Sequence, residues 1–287
     1  MLAIALAGCS VSEPADDPRP APLGTYGTDA QLRPSEPDAV LRYGRHPRGF
    51  AELRLPEGAG PFPLAVIFHG GCWKAGIADT AYMAPLATRW QQLGVATLNV
   101  DYREVGDGGG WPGSFEDWIA AADLLDGLAN RYPIDRNRVT LVGHSAGALP
   151  ALWLPTAQSG DAPGGARAPV QARAAIVLDG PGDVGREQAA FDALCEFSSV
   201  APFIGVPDNE GAKRLAALVP HPALEDVLFV QARLPAPPST SQDAIRASGA
   251  RLAVRTNPAA SHFEVITPGD PAYTANEAAM MAILKAE

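Results

Sequence analysis

The sequence predicts an α/β fold, and three observations carry that prediction. Val139 to Val142 is a short β-branched run that meets G-H-S-A-G at 143–147, and an Ala/Leu-rich segment follows, which is the order strand, tight turn, helix. Leu64 to Phe68 is continuously apolar, as a strand covered on both faces should be. The chain has 287 residues and 47% apolar content, enough for a sizeable core in one large α/β domain or two small ones.

Composition narrows the partners. A net charge of −10 argues against nucleic acid or an anionic membrane surface. Only 19% of residues are charged, while 29 Gly and 28 Pro imply plentiful loops. The sequence contains no apolar run of the roughly 18 residues that a bilayer-spanning helix needs.

The N-terminus reads M-L-A-I-A-L-A-G-C-S. Leu6-Ala7-Gly8-Cys9 resembles a bacterial lipobox, in which cleavage precedes a lipidated cysteine, although the apolar run is short and lacks a positively charged leader. Residues 1–9 are therefore expected to be a lipoprotein-type signal remnant. Cys9 would be the lipidation site and the only route to a membrane, and the protein would be exported. Residues 10–38 hold six prolines and six acids with little that can pack, so they read as a disordered tether to a single domain over 39–287. Nothing in the sequence brings Cys72 and Cys195 together, and both are expected to remain free. With no C-x-x-C pair and histidines scattered singly, no metal site is expected.

Taken in order, Phe50 to Leu55 alternates apolar and polar and predicts a half-exposed outer strand. The buried strand 64–68 ends in H-G-G-C-W, whose glycines let backbone N–H groups point into a cleft. Residues 79–93 predict a helix and 95–100 a strand. The loop G-D-G-G-G-W-P-G at 106–113 carries Trp111, which reads equally as a pocket wall or as a plug. Ser114 opens a helix to about Arg131, with Asp117 in a variant capping box. After the serine turn, Pro155 should kink or end the helix that contains Pro150. A strand at 174–178 leads into Asp179-Gly-Pro-Gly-Asp183, and 186–222 reads as a helical insertion with loops. Strand 227–230, helix 240–249, strand 251–255, the loop N-P-A-A-S-H-F-E and a final helix complete the chain.

The G-x-S-x-G turn carries the chemistry. A serine hydroxyl is a weak nucleophile unless it is exposed beside a base with donors ready for an oxyanion. A strained strand-to-helix turn with small neighbours would hold Ser145 in that way. It would also aim the Ala146 N–H, at the helix start, toward developing negative charge. Gly71 and Cys72 on the H-G-G loop are the matching donors.

H-G-G-C-W at 69–73, D-Y-R at 101–103, G-G-W-P-G-S-F-E-D at 109–117 and G-H-S-A-G at 143–147 together resemble the α/β-hydrolase superfamily. Within it, the chain is similar to the small esterase and arylformamidase-like hydrolases. The likeness is close over about residues 50–150 and loose elsewhere. It implies a mostly parallel central sheet flanked by helices on both faces, with a helical and loop insertion near 181–222 of the kind that commonly covers the active site. It also implies hydrolysis of a small-molecule carboxylic ester or amide with no cofactor, and Ser145 as nucleophile. In this superfamily the base follows the last strand, which selects His262 over His46, His69, His144 and His221. The turn is expected to point the His144 side chain away from the cleft, although His144, Trp73 and Trp111 stand as the candidate pocket residues.

The resemblance also expects an acid just after strand 227–231, but the chain reads Q-A-R-L-P-A-P-P and has no carboxylate between 227 and 242. Asp179 at the end of the preceding strand, Asp183 or Asp243, and the absence of any acid all remain open. The readings are accordingly a serine carboxylesterase, an arylformamidase-like amide hydrolase, or a catalytically impaired ligand-binding lipoprotein. Oligomeric state stays open.

Overall fold

The computed structural model describes residues 32–156, 171–205, 211, 213–214 and 224–286. Cys9, most of the tether and His221 lie outside the described residues. Eight strands among them form one sheet in the order β1-β2-β4-β3-β5-β6-β7-β8. The strands are β1 (Ala39–Arg42), β2 (Phe50–Arg54), β3 (Phe62–Phe68), β4 (Ala96–Val100), β5 (Ile134–His144), β6 (Ala174–Leu178), β7 (Asp226–Gln231) and β8 (Arg251–Thr256). The first two pairings are antiparallel and the rest parallel. The strand expected at the sheet's outer edge, β2, is in fact covered by β1, and Ala51, Leu53 and Arg54 are buried.

Side-chain alternation on β3 divides the core between two helical layers. Leu64, Val66 and Phe68 pack with Phe115 and Trp118 of α2 (Gly113–Arg131), whereas Ala65 and Ile67 meet Leu86 and Trp90 of α1 (Ala84–Gln92). Beyond the serine turn, α3 (Ala148–Trp153) stops at Leu154, immediately before Pro155, as the proline requires.

Register fixes where the chemistry can lie. Phe68 pairs with Gly143, His144 with Leu178, and Leu178 with Val230. The carboxyl ends of β3, β5, β6 and β7 are therefore level, and the loops that leave them converge on one edge, where open α/β sheets bind ligands.

The described part of the insertion, mainly residues 184–205, folds back over that edge, and most of the rest of it lies outside the described residues. Its helices α4 (Val184–Cys195) and α5 (Val200–Ile204) bring Phe191 and Phe203 onto Trp73, with ring centroids 4.9 and 4.4 Å away. This docking carries the end of α4 to the H-G-G loop, and Cys72 and Cys195 form a disulfide. The expectation that both are free is corrected: their proximity comes from tertiary packing between residues 123 positions apart, which no local pattern reveals. Farther along the chain lie α6 (Ser239–Ala247) and α7 (Pro271–Leu284).

A cross-link of this span stabilises mainly by limiting the unfolded chain. Cys195→Ser is expected to lower unfolding free energy by about 2–4 kcal/mol. Urea titration under non-reducing conditions measures the loss, and added reductant should leave the variant unchanged while lowering wild type to match it.

Candidate active site

Ser145 sits between β5 and α3 with φ of 54°, a conformation that L residues rarely adopt. Two glycines make the turn possible. A Cβ on Gly143 would lie 2.0 Å from the Gly147 carbonyl oxygen, and one on Gly147 would lie 2.1 Å from the Phe68 carbonyl oxygen. The serine turn is therefore pressed against the end of β3.

Asp179, the first residue after β6, also has positive φ, 44°, and is fully buried. Its Oδ1 accepts from the N–H groups of Ala232 (2.8 Å) and Leu234 (2.9 Å). Its Oδ2 accepts from Arg233 N–H (2.9 Å) and faces His262 Nδ1 at 2.7 Å. Burial alone would raise this carboxyl's pKa. The bond to His262 and its charge, with the Ala232 and Arg233 donors, outweigh burial and hold it below the ordinary range. The carboxylate therefore fixes Nδ1 of His262 as the protonated nitrogen and leaves Nε2 free to accept. The two rival carboxylates are engaged elsewhere. Asp183 caps α4 through Arg186 N–H, and Asp243 pairs with Arg246 on α6.

The segment after β7, where the resemblance expects an acid, thus donates to the acid on the neighbouring strand. Gln231 locks this arrangement: its side chain accepts from Gly180 N–H and donates to the Gly180 and Pro235 carbonyls.

The H-G-G loop carries a run of positive φ at Gly71 (103°), Cys72 (53°) and Trp73 (53°). Among the described residues, neither the Gly71 nor the Cys72 N–H has an acceptor. D-Y-R anchors this loop. His69 Nε2–H donates to Asp101 (3.1 Å), Tyr102 O–H donates to the His69 carbonyl (2.7 Å), and the two rings stack at 4.3 Å. Arg103 grips Asp117 through its backbone N–H, Nε and Nη2, and Ser114 Oγ donates to the Arg103 carbonyl. Those two side chains serve the 101–110 loop, so the expected capping box does not form, and α2 has no side-chain cap.

Two of the candidate pocket residues lie in the interior. Trp73 is fully buried, with its indole N–H donating to the Ala146 carbonyl at 3.1 Å, so it braces the loop against the serine turn. His144 is 1% exposed and bonds Tyr82 and the His262 backbone, so it also belongs to the interior. Trp111 stays half-buried: its N–H donates to the Phe203 carbonyl, its ring meets Phe115 edge-on at 4.9 Å, and Arg214 lies over it. These contacts fit the plug reading better than the wall.

Sequence reasoning missed Glu104, directly after D-Y-R. Its side chain is fully buried, neither carboxyl oxygen has a hydrogen-bond partner among the described residues, and Oε1 lies beside Gly71. Arg48 Nη2 stands 3.4 Å from Oε2, within ion-pair distance but without a hydrogen bond. Burial pushes the carboxyl up to about 9 against the pull of Arg48, helped by the charges of Asp101, Asp107 and Asp79.

The sequence model of the BD-FAE family matches residues 52–217, more than half of the chain. The chain belongs to the BD-FAE family. Among curated proteins no sequence matches it. The BD-FAE chain resembles esterase B from Lactobacillus rhamnosis at 18% identity, covering 88% of each chain with a TM-score of 0.68. It is also similar to a truncated carbohydrate esterase from gut microbiota (19% identity, 82% of this chain and 92% of that one, TM-score 0.63). A third similar structure is the Est2 esterase of Thermogutta terrifontis with propionate bound (18%, 85% and 93%, TM-score 0.61). The fold of this BD-FAE protein is that of the α/β hydrolases.

A raised carboxyl favours folding below its unfolded value near 4.5, and that stability is lost as pH rises through about 9. Glu104→Gln is therefore expected to stabilise the protein by roughly 1–3 kcal/mol at pH 7. The gain should grow toward pH 9 and vanish near pH 4, as measured by denaturant unfolding across that range. A constant difference across pH would contradict a neutral Glu104.

Proposed function

We propose that this protein is a serine carboxylesterase acting on small-molecule esters through an acyl-enzyme intermediate. The observation that carries the reading is the 2.7 Å contact between Asp179 and His262 Nδ1, at the same edge of the sheet as a serine held at positive φ. Ser145 Oγ attacks the acyl carbon as His262 Nε2 takes its proton, and the same nitrogen returns the proton to the leaving alcohol. Water then repeats the sequence in reverse to release the acid. Asp179 remains ionised and keeps the imidazole in the required tautomer. The N–H groups of Gly71, Cys72 and Ala146 stabilise the oxyanion.

Est2 among the similar structures is seen with propionate and with butyrate bound, which supports short acyl groups for this chain. The alternative of an impaired binding protein is motivated by the acid-free tract at 235–238 and by Pro150 and Pro155, and the contact of Asp179 with His262 counts against it. We further propose export with a lipid anchor at Cys9, which the L-A-G-C run supports, as does a disulfide of the sort that persists in oxidising compartments.

Ser145→Ala is expected to abolish hydrolysis of p-nitrophenyl acetate and labelling by a fluorophosphonate. Asp179→Asn should lower kcat by about 10²–10⁴ while Ser145 can still be labelled slowly. Near-wild-type turnover in the Asp179 variant would remove it from the catalytic set. An N-formyl aromatic amide hydrolysed more efficiently than acetyl and butyryl esters would replace the ester reading with an amide one.

A further inference from the structure

Tyr82 lies in the 3₁₀ turn Thr80–Met83 ahead of α1 and is buried along with His144. Its hydroxyl oxygen accepts from Gly70 N–H and stands 3.0 Å from His144 Nδ1. On the other side of the same imidazole, Nε2 stands 3.1 Å from the His262 carbonyl oxygen. Elementary bookkeeping assigns every proton. A carbonyl only accepts, so Nε2 of His144 carries hydrogen and Nδ1 is the acceptor. Tyr82 O–H must then donate to Nδ1, and its oxygen is free for the Gly70 N–H. One uninterrupted chain of hydrogen bonds runs from the H-G-G loop, through the residue preceding Ser145, to the backbone of the base.

The rings stack along the same path. His144 and His262 have centroids 4.5 Å apart, Tyr82 meets His144 edge-on at 5.6 Å, and Phe263 closes over both. Burial, followed by the charge of His262, pushes the His144 imidazole down to about 3, against the bond to the His262 carbonyl and the charge of Asp179. It therefore stays neutral, in one tautomer, when His262 takes a proton at 4.5 Å.

We propose that Tyr82 and His144 are positioning residues that set the His262 loop against the serine turn and the H-G-G loop. They act through the backbone and ring of His262, and their effect on turnover rests on the esterase reading above. A packing role alone would be met by apolar side chains of similar size. It would not require a donor toward the part-buried His262 carbonyl or an acceptor for the buried Gly70 N–H, groups that are costly to leave unpaired.

The test uses Tyr82→Phe, which keeps the ring and removes only the hydroxyl, together with His144→Leu and His144→Gln. Rates on p-nitrophenyl acetate are expressed per site titrated by a fluorophosphonate, so that misfolded protein does not count. Tyr82→Phe is expected to lower kcat by about tenfold with KM changed less than about twofold, since substrate binding is untouched. His144→Leu should lose more. His144→Gln should recover part of that loss, because an amide N–H can still donate to the His262 carbonyl. In the His144→Leu background, adding Tyr82→Phe should cost little more, as expected of groups acting in series.

Amide hydrogen exchange of segments 70–73 and 260–266 gives a readout independent of activity, and both should exchange faster in Tyr82→Phe. Wild-type kcat and exchange in that variant would overturn the relay, as would His144→Leu matching or exceeding His144→Gln. If wild type neither hydrolyses the ester nor is labelled, the esterase reading fails. Faster exchange in Tyr82→Phe would then still support the relay, and unchanged exchange would overturn it.

Discussion

One buried carboxylate organises the functional edge of this protein. Asp179 receives three backbone N–H groups from the segment after β7 and contacts the imidazole carried by the loop after β8. It thereby ties the ends of three adjacent parallel strands into one unit. Removing a charge from water is costly unless it is fully hydrogen-bonded, and here the four donors supply that compensation. The same saturation that makes burial tolerable also aims the base.

Strain is concentrated where this unit meets the nucleophile. Among the described residues, five non-glycine positions have positive φ, and Cys72, Trp73, Ser145 and Asp179 account for all but Glu196. Such conformations cost free energy and persist only where neighbours over-determine them. The neighbours are identifiable: the tight approach of Gly143 and Gly147, the Trp73 indole on the Ala146 carbonyl, and the cradle around Asp179. Even Glu196 belongs to the same region, since it ends α4 directly after the cross-linked Cys195.

Much of this was legible in the sequence because the signals are local. The apolar run at 64–68, the G-H-S-A-G turn and the helix-ending Pro155 each depend on a few neighbouring residues, and the elements formed where those residues predict. The juxtaposition of Asp179 with His262 was legible only as one of several alternatives, because it depends on two strands pairing in register. What escaped depends on long-range contact. The Cys72–Cys195 bond, the burial of Trp73, the diversion of Ser114 and Asp117 to the 101–110 loop, and the burial of Glu104 beside Arg48 all arise from segments that meet only after folding. Gln231 and Tyr82 carry no pattern at all, since an isolated polar residue at the end of a strand or in a helical turn resembles many others.

The cross-link between Cys72 and Cys195 has a topological corollary. It closes a covalent ring through β4, α2, β5, the serine turn and β6, so Ser145 and Asp179 are both carried within that ring while His262 hangs from the chain outside it. A protease that severs the backbone once anywhere between the two half-cystines opens the ring without releasing a fragment. The nicked molecule would keep its full mass on a non-reducing gel and divide into two pieces only when the thiols are regenerated.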